Sequence, residues 1–142
     1  MKTGKEVLSS ALKTTQMGQI GIRSVLDTTM KPQLRSALED QLKEYDSIET
    51  EAHTIAFQRG WEVPELDPAV RFMADRMTRM KLMGRHNDSR IAAMMIQGNT
   101  RGMILSLKNI HRCNNPDPEV CDLAQKLLDT EKNNITSMQG FL

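Results

Sequence analysis

Residues 118–138 read PEVCDLAQKLLDTEKNNITSM, and the spacing within them decides the fold. Val120, Ala124, Leu127, Ile135 and Met138 share one face at about 100° per residue, the turn of an α-helix. Asp117 and Pro118 mark its start. The aspartate oxygen can accept from an orphan amide of the first turn, and proline has no amide to leave unpaired there. Glu131 and Asn134 fall in the middle of this apolar arc. A carboxyl and an amide placed there must meet partners across a helical interface, or each costs about 1–3 kcal/mol.

Working outward, the chain predicts three more long helices. The first runs from Lys5 to Met30, opened by the capping pair Thr3 and Glu6, with Leu8, Leu12, Thr15, Ile22 and Leu26 in one stripe. The second starts at Pro32 and ends at a Gly60 cap. It aligns Leu34, Leu38, Gln41, Tyr45, Ile48, Ala52, Ile55 and Ala56. After the loop Trp61–Leu66 a shorter helix begins at Pro68, capped by Asp67, and ends near Met83–Gly84. The third long helix follows the cap candidates Asn87, Asp88 and Ser89 and reaches about Arg112. The run Asn114-Asn115-Pro116-Asp117-Pro118 then breaks the chain before the last helix, which continues nearly to Leu142. The expected fold class is all-α, with residues 1–142 as a single domain. Short loops between long amphipathic helices make antiparallel neighbours, hence a four-helix bundle. The extra short Met-rich helix lies between the second and third long ones.

Bulk properties narrow the function. The chain has 142 residues, 39% apolar and 26% charged, enough to bury a core without staples. A net charge of +1 predicts neither a nucleic-acid nor an anionic-membrane partner. No apolar run approaches the roughly 18 residues of a membrane span. The basic start Met1-Lys2-Thr3-Gly4-Lys5 is followed by no apolar leader, which predicts a cytoplasmic protein. Two cysteines, Cys113 and Cys121, suit a reduced compartment.

Polar residues recur at the middle of other apolar faces. Gln19 sits within the first helix's stripe, and Asn99 lies among Met95, Gly102, Met103 and Ser106 on the third long helix. On the second, Tyr45-x-x-Ile48 and Glu44-x-x-Ser47 are alternative inward registers. This constellation resembles the ferritin-like superfamily and its small bacterial members. Di-iron members of that superfamily supply one glutamate from each of two helices and Glu-x-x-His from each of the other two. Glu131-x-x-Asn134 is similar to the last of those motifs, with Asn in place of His. Gln19 and Asn99 match the single glutamates with amides instead of carboxylates. The resemblance covers the four long helices and implies a degenerate centre at Gln19, Glu44, Tyr45, Asn99, Glu131 and Asn134. Amides and a phenol bring no formal charge to neutralise two metal ions, so no resident cofactor is expected. Iron or manganese would be the ion of the alternative reading, a protein of metal handling or oxidative-stress defence.

Other features have two readings each. Met73, Met77, Met80 and Met83 align on the short helix as a packing face or subunit interface, or as a soft-metal or haem site. Glu49 and His53 are spaced as an exposed i,i+4 pair or as two metal ligands. His111, Cys113 and Cys121 are helix-end residues, or three of the four ligands a structural zinc requires. Arg85, His86 and Arg90 form a solvated helix end or a phosphate site. Gly98-x-x-x-Gly102 predicts close helix approach. The expected role is a non-catalytic structural or interaction protein, a homo-oligomer with a dimer as the expected state.

Overall fold

The computed structural model describes residues 3–84, 86–113 and 117–142. Arg85 of the basic cluster, Asn114-Asn115-Pro116 of the break, and Met1 and Lys2 lie outside the described residues. Five helices follow in order: α1 (Gly4–Leu26), α2 (Pro32–Arg59), α3 (Pro68–Lys81), α4 (Asp88–His111) and α5 (Pro118–Gln139). Thr3, Asp67, Asn87 and Asp117 each accept a first-turn amide, as the capping signals predict. Gly60 takes the left-handed conformation, φ 67°, and lets Trp61 N–H close on Ala56 O at 2.9 Å.

The first helix stops at Leu26, four residues short of the expected Met30. The Arg35 guanidinium takes the carbonyls of Leu26 (3.0 Å) and Thr28 (2.9 Å), which a continuing helix would have used. Lys31 is extended ahead of Pro32, as the proline ring demands. The Met-rich helix similarly ends at Lys81 instead of Met83.

The cross-helix contacts give the direction of each helix. Gln16 meets Glu49, Ser10 meets Asn109, and Arg59 meets Asp117. α1 therefore runs antiparallel to α2 and α4, and α2 runs antiparallel to α5. This is an up, down, down, up bundle in which the α2-to-α4 connection carries α3 back along α1. Its core joins Leu8 and Leu12 to Leu34, Leu38, Ile48, Ile91 and Leu127.

α3 packs on α1 through polar groups. Ser24 donates to Asp75 at 2.6 Å, and Arg79 reaches Asp27 at 2.7 Å. None of its residues is buried. Met73, Met77, Met80 and the following Met83 are all more than half exposed, with Phe72 beside them. Of the readings open for these methionines, packing within this chain is the one the structure does not bear out: the polar face of α3 is turned inward.

Candidate functional site

At mid-bundle, three helices deliver four polar side chains to one point. Tyr45 comes from α2, Asn99 from α4, and Glu131 and Asn134 from α5; all are buried. Tyr45 Oη lies 2.9 Å from both Asn99 Oδ1 and Glu131 Oε2. Asn134 Nδ2 donates to Tyr45 Oη and to Asn99 Oδ1, each at 3.4 Å. Asn99 Nδ2 donates to Met95 O at 2.8 Å, which turns its oxygen toward the tyrosine.

The direction of the hydrogen bonds depends on the charge of Glu131. A phenol has one proton to donate, yet two acceptors lie at 2.9 Å. An ionised Glu131 takes the phenol proton itself, whereas a protonated Glu131 can donate to Tyr45 Oη and leave the phenol proton to Asn99 Oδ1. Burial acts toward the protonated form, pushing the Glu131 carboxyl up to about 8, opposed only by the hydrogen bond with Tyr45. The Tyr45 phenol is raised well above its ordinary value by burial and then by Glu131. Burial therefore favours the neutral form of the cluster.

Two glycines make room for it. A Cβ at Gly18 on α1 would lie 2.6 Å from Tyr45 Cζ, and one at Gly102 on α4 would lie 2.5 Å from Glu131 Oε1. Close approach at Gly102 was expected between helix backbones, but what occupies the space is a carboxyl. Tyr45, Asn99 and Glu131 line a cavity of about 880 Å³ between α1 and α4, bordered also by Val70 and Thr78 of α3 and by Pro64 and Leu66 of the loop before it.

Of the six expected centre positions, Tyr45, Asn99, Glu131 and Asn134 converge. Gln19 and Glu44 do not. Gln19 is buried but turns to the α1–α2 seam, donating to Asp46 Oδ1 at 2.8 Å and Glu49 Oε1 at 3.4 Å. Those carboxylates are stronger acceptors than any group in the neutral centre, and Gly18 occupies α1's place there. Glu44 is exposed, so the inward register is Tyr45-x-x-Ile48.

Sequence reading missed Gln16. Buried on α1, it donates to Glu49 (3.2 Å) and Glu65 (3.1 Å) and accepts from Leu66 N–H (3.1 Å), tying down the loop before α3. Its place one turn from Gln19, on the same side of the helix, was the available signal. His53 pairs with Glu65 at 2.6 Å and not with Glu49, holding the Glu65 carboxyl below its ordinary range.

Cys113 and Cys121 bring their sulfurs to 2.7 Å across the α4–α5 connection. That hydrogen bond pushes the Cys121 thiol up to about 11. Among the described residues no three His, Cys, Asp or Glu side chains gather so as to hold a metal ion, at these cysteines or at the bundle centre. The centre itself offers one carboxyl, one phenol and two amides, a donor set that does not fit a pair of highly charged ions.

No family model matches the chain, and no curated relative matches it. Solved structures do. A conserved hypothetical protein from Mycobacterium tuberculosis superposes with a TM-score of 0.74 at 13% identity, over 98% of this chain and 96% of that one. A DUF305 fragment from Deinococcus radiodurans gives 0.76 at 14% identity, over 96% and 93%. The bacterioferritin-related protein of Bacteroides fragilis, described as a dodecameric thioferritin, gives 0.73 at 14% identity, over 97% and 84%. The fold is that of the ferritin-like bundles.

Proposed function

We propose that this chain is a non-catalytic ferritin-like bundle in which a neutral hydrogen-bonded cluster stands where relatives of the fold place metal ligands, and that it works as a structural or interaction protein that self-associates. The observation that carries the reading is the donor set of the cluster: a single carboxyl, which burial favours in its protonated form, beside a phenol and two amides. A protonated carboxyl and two amides compete poorly with water for iron or manganese. Self-association draws support from the methionines that α3 leaves exposed, since contiguous apolar surface marks interaction sites. The dodecameric state of the Bacteroides fragilis protein shows that this fold assembles. We extend the reading to a cytoplasmic location without a nucleic-acid partner, which the balanced net charge of +1 supports.

Metal analysis of untagged protein tests the proposal. The expected result is iron and manganese far below one per chain. Stoichiometric metal that disappears in Glu131→Ala would establish the alternative, a metal-handling protein.

A further inference from the structure

One polar side chain of the cavity is not used by the cluster. Gln41 lies on α2 one turn before Tyr45, is 5% exposed, and lines the cavity. Neither its Oε1 nor its Nε2 has a hydrogen-bond partner among the described residues. A buried amide left this way is costly, and its neighbours on the same face, Leu38 and Ile48, show that an apolar residue suits the surroundings.

The walls are unusual as well. Gly18 and Gly21 on α1 and Gly98 and Gly102 on α4 border the same space. A Cβ at Gly98 would meet nothing within 4 Å, and one at Gly21 would meet only Met95 Cε at 3.7 Å. Bare backbone on two neighbouring antiparallel helices, flanked by Met17, Ile22 and Met94, makes a slot with flat apolar sides. Its volume of about 880 Å³ lies in the range of small-molecule sites. Of its basic residues, Lys5 and Lys81 lie at opposite ends, while Lys13 on α1 and Arg101 on α4 border its middle, and Glu6 is the outer carboxylate.

We propose that the slot between α1 and α4 binds a planar heteroaromatic small molecule whose lactam edge pairs with Gln41 and whose anionic substituent sits between Lys13 and Arg101. A primary amide presents a donor beside an acceptor, and a lactam presents the complement, so two in-plane hydrogen bonds satisfy both Gln41 atoms. Apolar glycine-bare walls accept a flat ring. Among the described residues no cation lies beside Gln41, so a charged inner end would be buried unpaired, whereas Lys13 and Arg101 accommodate an anionic outer end.

Two probes test this, flavin mononucleotide and 8-anilinonaphthalene-1-sulfonate. Both are aromatic anions, and only the first has a lactam edge. Fluorescence titration is expected to show one saturable flavin mononucleotide per chain. Gln41→Leu should weaken it about tenfold, the loss of one to two net hydrogen bonds, and leave the sulfonate dye within about twofold. Gly98→Leu fills the slot and should abolish binding of both probes while the fold, read by circular dichroism and urea melting, is kept.

The proposal fails if flavin mononucleotide does not saturate by about 1 mM, or if Gly98→Leu binds it unchanged. It also fails if Gln41→Leu affects both probes alike. A dimer that Gly98→Leu dissociates and neither probe displaces would assign the slot to a second copy and overturn it too. Metal content measured on the same samples bears only on the preceding reading, so the two can fail separately.

Discussion

Tyr45 has a single hydroxyl proton to share between Asn99 and Glu131, and this makes Glu131 the residue whose titration the fold feels most. Its carboxyl titrates near 8 in the folded chain against 4.5 in the open one. The folded state therefore holds the extra proton between those values. The stability Glu131 supports is complete below about pH 4.5 and is lost as pH rises through about 8. At pH 7 the loss is on the order of 3 kcal/mol, at 1.36 kcal/mol per unit. Glu131→Gln keeps the shape and removes the titration. In urea melts from pH 5 to 8.5 it should overtake the wild type progressively, and parallel curves would refute a protonated Glu131. The glycines give a second prediction at this scale. Gly98→Ala should stabilise by about 0.5–1 kcal/mol, since alanine is the better helix former and meets open space. Gly18→Ala should destabilise by about 1–3 kcal/mol, because its Cβ runs into the buried Tyr45 ring. Thermal melts that rank the two the other way would mean the ring is free to move.

Helix ends and helix faces govern the elements. Asp117 does two tasks at the start of α5. It caps Val120 N–H, and it takes the Arg59 guanidinium in two hydrogen bonds of 2.8 and 2.9 Å, which hold its carboxyl below the ordinary range. Asp117→Ala should cost about 1–2 kcal/mol, the upper part of the range for a lost cap, because the end of α2 is released as well. Asp117→Asn, which keeps a capping oxygen, should recover part of that loss in the same urea titration. α3 is unusual in the direction it faces. Its Asp75 and Arg79 bind α1, and its methionines are left outside. Helical periodicity locates such a stripe, but the direction it faces depends on which partner lies beside it. Ser24 and Asp27 on α1 supply polar partners and no apolar groove.

At the scale of the whole molecule, the bundle closes its own core while Phe72, Met73, Met77, Met80 and Met83 remain uncovered. Replacing Met73, Met77 and Met80 together by Gln should leave the unfolding midpoint almost unchanged, because none of the three is buried in the chain. It should shift the mass measured by light scattering toward the monomer. A variant that unfolds, or one that assembles as the wild type does, would remove α3 from the interface. Among the described residues no helix is long and apolar enough to cross a membrane.

The periodicity of 118–138, the caps at Thr3, Asp67, Asn87 and Asp117, and the prolines at helix starts were enough to define four long helices and a short one, because these signals act within one or two turns. The mid-helix positions of Gln19, Asn99, Glu131 and Asn134 likewise predicted a shared layer, since antiparallel helices of similar length align their centres, and all but Gln19 meet there. Local order could not choose between Tyr45 and Glu44, and it placed Gln19 in that layer although the side chain turns to Asp46 and Glu49. An amide goes to the strongest acceptor within reach, and those carboxylates lie in another helix. Nor could it reveal that Gly18 and Gly102 leave room for the tyrosine and the carboxyl, that Gln41 faces an open slot, or that Glu131 keeps its proton. Each of these depends on the neighbours and dielectric that packing creates, and they arise only once α1, α2, α4 and α5 stand side by side.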